Sequence, residues 1–165
     1  FGLSNGLVAI VGYNYGARKY GRVRHLFWIS ALAATALMAV GWAVSQLFPV
    51  PILRLFVAAD SALIPLGVRA LRIFTLAFPI IGFPIMGGQF FQAIGKPVQA
   101  TLIALSRQIL LFIPFLLIFP RFWGLPGLYA AAPASDFLTF LISLPLVLFQ
   151  LRTLRRLALR PETAP

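Results

Sequence analysis

The stretch Leu26–Leu53, LFWISALAATALMAVGWAVSQLFPVPIL, is 28 consecutive residues without a charged side chain. A helix needs about 20 predominantly apolar residues to cross the hydrocarbon layer of a bilayer. Pro49 and Pro51 end the helical pattern, because proline lacks the backbone N–H that a helix interior requires. The stretch therefore predicts a transmembrane helix over about residues 26–48.

Four more apolar runs accompany this stretch. Ile73–Gly95 has 23 uncharged residues, Val98–Phe119 and Phe122–Leu151 have one charge each, and Phe1–Ala17 is short for a span. Together they predict an all-α fold, a polytopic transmembrane helix bundle in a lipid bilayer. Residues 1–157 then form one membrane unit and 158–165 a cytoplasmic tail. The predicted spans are about 1–17 (a partial one), 26–48, 73–95, 98–119 and 125–151. A first run that starts at Phe1 predicts a piece of a longer protein.

Composition excludes several functional classes. Apolar residues make up 61% and charged residues 10% of the chain, against about 45–50% and 25% in globular domains. The absence of Cys excludes disulfides and thiolate chemistry, and one His with three acids leaves too few ligands for a metal cage. We therefore expect no catalytic set, no metal site, no bound cofactor and no enzymatic activity. No aromatic and basic face suggests nucleic acid, despite a net charge of +11.

The basic residues alternate between two sides of the predicted bundle. One side has nine of them, the other four, and the richer side is expected to be cytoplasmic. The sequence therefore predicts a multi-pass protein of the plasma or inner membrane with a cytoplasmic C-terminus. In the long outer loop, Asp60 or Ser61 can cap a helix. The richer side comprises Arg18, Lys19, Arg22, Arg24, Lys96, Arg152, Arg155, Arg156 and Arg160, and the other Arg54, Arg69, Arg72 and Arg121.

Asp136 is the only acid inside a predicted span. A carboxylate in hydrocarbon is costly, so such a residue is expected to bind an ion or substrate or to be paired. Arg107 lies about 20 Å before Pro120 and Asp136 about 16 Å after Leu125, at about 1.5 Å per helical residue. Their depths match within one turn, so an ion pair with Arg107 and a direct role for either residue in an ion or substrate pathway are both open.

The predicted span 73–95 is the most irregular. Pro79 and Pro84 each remove one helical hydrogen bond, and carbonyl groups near Thr75 and Ile80 then need another partner. Broken helices of this kind often line transporter cavities, although a kink that only improves packing is an equal alternative. The kink or hinge candidates on this span are Pro79, Pro84, Gly87 and Gly88, and the pathway candidates are Thr75, Gln89 and Gln92. The two glutamines could instead join helices.

Four short motifs resemble those of the MATE (multidrug and toxic compound extrusion) transporters. GYNYGARK at residues 12–19 resembles the end of the second helix of a MATE lobe, and Asn14 within it is a cap or hinge candidate. FFQAIGKP at 90–97 resembles the end of the fourth helix. Ser106-Arg107-Gln108 with Pro114 resembles the fifth, and APASD at 132–136 the start of the sixth. The likeness covers about residues 2–157 and is strongest to the MepA-like exporters.

The resemblance implies part of one six-helix lobe of a MATE-type transporter with the flippase superfold. It implies multidrug efflux, an antiport of small organic cations against protons or sodium by alternating access between two lobes. The partner would be the missing N-terminal lobe of the same protein. A lipid-linked oligosaccharide flippase of the same superfold is the nearer alternative, which several cations in the cleft would favour. A scaffold subunit that does not transport is the other, and it predicts helices packed without a central polar surface.

Overall fold

The computed structural model describes residues 2–56 and 63–159, and every regular element in those two ranges is a helix. The predicted all-α fold class is therefore confirmed. Asp60, Ser61, Arg160 and most of the predicted tail lie outside the described residues. The helices are α1 (Gly2–Gly16), α2 (Tyr20–Leu47), α3 (Pro49–Arg54), α4 (Leu63–Phe74), α5 (Phe78–Ala93), α6 (Pro97–Leu105), a π-helical turn (Ser106–Leu111) and α7 (Phe112–Ala158).

The chain reverses direction at Gly124, inside α7. Gly124 has φ 58° and ψ −137°, a conformation that only glycine adopts readily. Lys96 Nζ donates a 2.7 Å hydrogen bond to Gln150 Oε1, although 54 residues separate the two. A straight helix would hold them about 80 Å apart. Residues 97–123 and 125–158 are therefore the two antiparallel arms of one hairpin, which we call the α6–α7 hairpin.

A bend of 48° separates α4 from α5. Pro79 lies in the first turn of α5, where its missing N–H disrupts no helical bond. The carbonyl of Thr75 therefore lacks its usual partner four residues later, and the N–H of Phe78 donates to it at 3.0 Å instead. The irregular segment is thus two helices joined by a tight turn just before Pro79, whereas Pro84 lies inside the continuous helix α5.

Length and apolarity decide which described helices could cross a membrane. Tyr20–Leu47 qualifies, as does the run Pro97–Ala158, which contains both arms of the hairpin. The bent pair α4 and α5 adds a third candidate if it forms one span. The five transmembrane spans predicted from the sequence, with their boundaries, remain predictions.

Helix α5 lies at the centre of the molecule, in contact with α1, α2, α6 and α7. A Cβ built on Gly82 would lie 2.7 Å from the backbone nitrogen of Thr35, so α5 and α2 touch backbone to backbone there. Beside this crossing, the rings of Phe27 and Phe90 pack at 5.0 Å between centroids, and both side chains are fully buried. Helix α5, which lines the cleft described below, is therefore packed into this core.

Candidate functional site

Arg107 and Asp136 form an ion pair across the α6–α7 hairpin. Arg107 Nε donates to Asp136 Oδ1 at 2.8 Å. The Asp136 carboxylate is buried, whereas 38% of the Arg107 side chain is exposed. The ion pair, one of the two roles that the matched depths left open, is therefore present. It neutralises a buried carboxylate that would be costly to leave alone.

The backbone around Arg107 is irregular. Ser106–Leu111 is a π-helical turn, which is rare and frequently occurs at functional sites. Pro114 follows three residues later and offers no N–H to the carbonyl of Leu110. A wider turn is one of the local adjustments by which helices satisfy such carbonyls. The same turn carries Arg107 to the face that meets Asp136.

Asp136 belongs to a line of buried polar side chains on α7. Thr139 Oγ1 donates to the carbonyl of Ser135 at 2.7 Å, and Ser135 Oγ donates to that of Ala132 at 2.8 Å. Ser143 and Gln150 continue the line toward the C-terminal end of α7, and both are buried. The sequence interpretation missed Thr139 as a site residue. Its position three residues after Asp136, on the same helical face, is the signal that could have found it.

A cleft of about 460 Å³ opens between α5, the first arm of the hairpin and Thr139. We call it the α5–α6 cleft. Among the residues that the structure describes, Arg107 is the only charged one that lines it. Five of the predicted site residues meet in this cleft, and they are Pro84, Gly88, Gln89, Gln92 and Arg107. Their part in an ion or substrate pathway stays a prediction.

Thr75 lies in a separate polar network, where α2 ends and α4 bends into α5. Its hydroxyl donates to the carbonyl of Leu71 at 2.9 Å and accepts bonds from Ser45 Oγ at 3.0 Å and Gln46 Nε2 at 3.1 Å. Gln46 Nε2 also donates to the carbonyl of Arg72 at 3.0 Å. Thr75 is therefore a residue that joins two helices at the bend and does not line the cleft.

The remaining hinge candidates lie at helix contacts and helix ends. A Cβ on Gly87 would lie 2.9 Å from Cγ2 of Val147, so this glycine lets α5 approach α7. Asn14 is buried near the end of α1, and its side-chain amide donates to the carbonyl of Ile10 at 2.8 Å. A hinge motion at either position stays a prediction.

The GYNYGARK stretch ends α1 in a Schellman motif. The N–H of Lys19 donates to the carbonyl of Asn14 at 2.9 Å, and that of Arg18 to Tyr15 at 3.0 Å. Arg18 takes φ 56° at the position where glycine is usual. FFQAIGKP ends α5 in the same way, with Gly95 at φ 72° in the equivalent place. The two motifs quoted from the sequence are thus the same helix-ending turn.

Within residues 2–56 and 63–159, no group of three or more His, Cys, Asp or Glu side chains could hold a metal ion. The charged chemistry of the described chain is therefore that of single arginines and lysines and of one carboxylate.

The fold of this helix bundle is that of the MATE transporters. The structure of the MATE multidrug transporter DinF-BH in complex with R6G is 36% identical to this chain, with a TM-score of 0.85 over 97% of it. The Vibrio cholerae MATE transporter VcmN in the bent form is 19% identical, with a TM-score of 0.82 over 93%. An inward-facing MATE transporter of the MOP superfamily is 18% identical, with a TM-score of 0.85 over 98%.

The family model MatE matches residues 1–118, which is more than half of the chain. The chain therefore belongs to the MatE family, as its motifs predicted. The MepA-like subtype stays a prediction. The chain spans only 35% of DinF-BH, 35% of VcmN and 36% of the inward-facing transporter. No curated protein matches the chain.

Proposed function

We propose that this chain is part of one lobe of a secondary active multidrug exporter. The observation that carries the proposal is the 36% identity and TM-score of 0.85, over 97% of the chain, to a protein named as a MATE multidrug transporter. The complete protein would hold two lobes in a membrane and export small organic cations in exchange for protons or sodium. The chain, which spans about a third of such a transporter, supplies part of the second lobe.

The transport cycle would rock one lobe against the other. The bent pair of α4 and α5 suits the lining of a central cavity, because broken helices place free backbone groups and small residues beside it. The network of Thr75, Ser45 and Gln46 holds the outer end of that bend on α2. The bend can then move with α2 as one body while the first lobe closes or opens against it.

The pair Arg107–Asp136 is our candidate for sensing the coupling ion. Asp136 is the only acid among the described residues, and its carboxylate already pairs with Arg107. A proton or sodium ion must therefore compete with the guanidinium for that carboxylate. Neutralising Asp136 would release Arg107 toward the α5–α6 cleft, to which its side chain is already partly open. The two states of this pair would differ in how firmly they tie the hairpin arms together.

Two alternatives fit the structure less well. A flippase for lipid-linked oligosaccharides carries an anionic cargo and should line its cleft with several cations, yet the described residues supply the α5–α6 cleft with one. A scaffold subunit needs no buried polar surface, whereas Ser135, Asp136, Thr139 and Ser143 are all buried along α7. Both observations favour the exporter.

The deciding experiment is dye efflux from drug-sensitive bacterial cells that express the complete protein. We expect faster efflux of a cationic dye than in cells with empty vector, and loss of that efflux when the proton or sodium gradient is collapsed. Asp136→Asn should reduce efflux and weaken its dependence on the gradient, with Ser143→Ala as the control on the same polar line. Dye retention equal to the vector would overturn export, and unchanged gradient dependence in Asp136→Asn would remove the sensor role.

A further inference from the structure

The turn between α1 and α2 carries positive charge that the proposed transport cycle does not use. Arg18 and Lys19 lie in the turn, Arg22 lies in the first turn of α2, and all three are exposed. Asp136, the one acid in the described part of the chain, is already bonded to Arg107. No carboxylate in residues 2–56 or 63–159 therefore neutralises these three cations, and their summed field attracts anions.

These cations surround a concavity of about 410 Å³. We call it the basic concavity, and its lining residues are Arg18, Lys19, Tyr20, Gly21, Arg22 and Ala158. It therefore lies between the α1–α2 turn and the C-terminal end of α7. Its charge suits a phosphate group rather than a single small ion, because several cations can contact several oxygen atoms at once.

A second depression of about 510 Å³ adjoins the basic concavity and follows the contact between α1 and α2. We call it the apolar groove, and it is lined by Ile10, Asn14, Gly21, Arg22, His25 and Leu26. Gly21 and Arg22 line both depressions, so the two depressions meet at these residues. One N–H of the Asn14 side-chain amide is bonded to the carbonyl of Ile10 within α1.

The place of this paired site, at the ends of two apolar helices, suits a lipid headgroup. Helix α1 ends at Gly16 and α2 begins at Tyr20, so the charges lie where two apolar helices end. The rings of Tyr15 and Tyr20 pack there at 5.7 Å between centroids. Tyrosine is enriched at the level of the headgroups, because its ring is apolar and its hydroxyl is polar.

We infer that an anionic phospholipid binds here, with its phosphate in the basic concavity and one acyl chain in the apolar groove. A free phosphate would use only the charged part and would leave Ile10 and Leu26 uncovered. A zwitterionic lipid carries a positive group of its own, which the three cations of this site would repel. The joined depressions therefore select a ligand that is anionic at one end and hydrocarbon at the other.

The test counts bound lipids on the complete, purified protein by native mass spectrometry. Phosphatidylglycerol and phosphatidylcholine with the same acyl chains are titrated in detergent. The triple variant Arg18→Gln, Lys19→Gln, Arg22→Gln should bind phosphatidylglycerol far more weakly, by about fivefold for each lost cation. The matched control Arg54→Gln, Arg69→Gln, Arg121→Gln removes three charges elsewhere and should keep the bound lipid.

A second variant tests the groove without changing any charge. A Cβ on Gly21 meets no atom within 4 Å, so Gly21→Leu fills the junction of the two depressions. Gly41→Leu is the control, because Gly41 is on the same helix, is equally open and lines neither depression. Gly21→Leu should lower phosphatidylglycerol binding while Gly41→Leu does not.

Three results would overturn the proposal. The first is equal loss of phosphatidylglycerol in the triple variant and in its charge control. The second is unchanged phosphatidylglycerol binding in Gly21→Leu. The lipid would then lie outside the groove, as it also would if other parts of the complete protein cover the groove. The third is displacement of the lipid by inorganic phosphate at the same concentration, which would assign the site to a free anion. Dye efflux is not the readout, so failure here leaves the exporter proposal standing.

Discussion

Arg107 and Asp136 stand on opposite arms of the α6–α7 hairpin, 29 residues apart in sequence and 2.8 Å apart between Nε and Oδ1. A continuous helix would separate them by about 43 Å. The bond therefore depends on the reversal at Gly124, and in return it ties the two arms together. Its acid is buried and its base is partly open to the cleft.

We expect Arg107→Gln to destabilise the complete protein more than Asp136→Asn. The first change leaves a buried carboxylate without its charged partner, whereas the second leaves an arginine that can turn toward the cleft. Breaking a fully buried pair costs about 3–5 kcal/mol and an exposed one about 1 kcal/mol or less. The partly open pair should lie between, at about 2 kcal/mol for Arg107→Gln, measured as the lowering of Tm in detergent.

The double variant Arg107→Gln, Asp136→Asn separates the pair from its members. Two neutral amides can still form a hydrogen bond, so the double variant should recover part of the loss. Arg121→Gln, an exposed arginine on the first arm, is the control for loss of a charge. If the stability lost in the double variant equals the sum of the losses in the two single variants, the pair contributes no coupling energy.

Gly82→Ala should disrupt the contact between α5 and α2. The added methyl group would lie 2.7 Å from the nitrogen of Thr35 and 2.9 Å from the carbonyl carbon of Ala34. Both are backbone atoms, so the helices themselves must move apart. Overpacking of this kind costs about 1–3 kcal/mol, and we expect a lower Tm and a lower yield of folded protein.

Gly41→Ala is the matched control for this substitution. Gly41 lies on α2 with nothing within 4 Å of its Cβ position. Alanine stabilises an open helical position by about 0.5–1 kcal/mol relative to glycine. The two substitutions should therefore shift Tm in opposite directions. A rise in Tm for both would mean that the gain in helix propensity outweighs the close approach at Gly82.

The sequence predicted the helical class, and it left the ion pair open beside a direct pathway role, for simple physical reasons. A long run of uncharged, apolar residues is compatible with few structures other than a membrane-spanning helix. Two charges at equal depth in adjacent antiparallel helices have few other partners, which is why the depths of Arg107 and Asp136 made their pairing possible. Both arguments need only length and charge, and the sequence supplies these directly.

Side-chain groupings that depend on helix rotation were harder to predict. The predicted span 73–95 contains three pathway candidates, which are Thr75, Gln89 and Gln92. The bend before α5 leaves Thr75 beside Gln46 of α2, while the two glutamines line the cleft. A bend angle depends on packing against other helices, so the position of Pro79 alone could not give it.

The two Schellman ends predict opposite effects of glycine and alanine. Arg18→Gly should stabilise the protein, because a left-handed backbone costs a residue with a Cβ about 1–2 kcal/mol. Gly95→Ala, at φ 72°, should destabilise it by a similar amount. Tm in detergent measures both. Arg18→Gln keeps the backbone cost and removes the charge, so a rise in Tm for this variant as well would assign the effect to charge repulsion.

Cysteine labelling tests which ends of the helices face the cytosol. The chain has no Cys, so within it a single introduced cysteine reports alone. Lys19→Cys and Arg156→Cys lie on the side with nine basic residues, and Arg54→Cys and Arg121→Cys on the side with four. The positive-inside rule predicts that an impermeant maleimide labels only the second pair in intact cells.

Permeabilised cells provide the control for this topology, because all four cysteines should then react. All four positions are helix ends or turns outside the buried core, so slow reaction in intact cells reports the membrane barrier and not burial. The hairpin adds a constraint, since Arg121 near the reversal at Gly124 and Arg156 near the end of α7 must fall on opposite sides. Labelling of Lys19→Cys and Arg156→Cys from outside would invert the predicted orientation. Labelling of Arg121→Cys and Arg156→Cys from the same side would show that the hairpin does not cross the membrane twice.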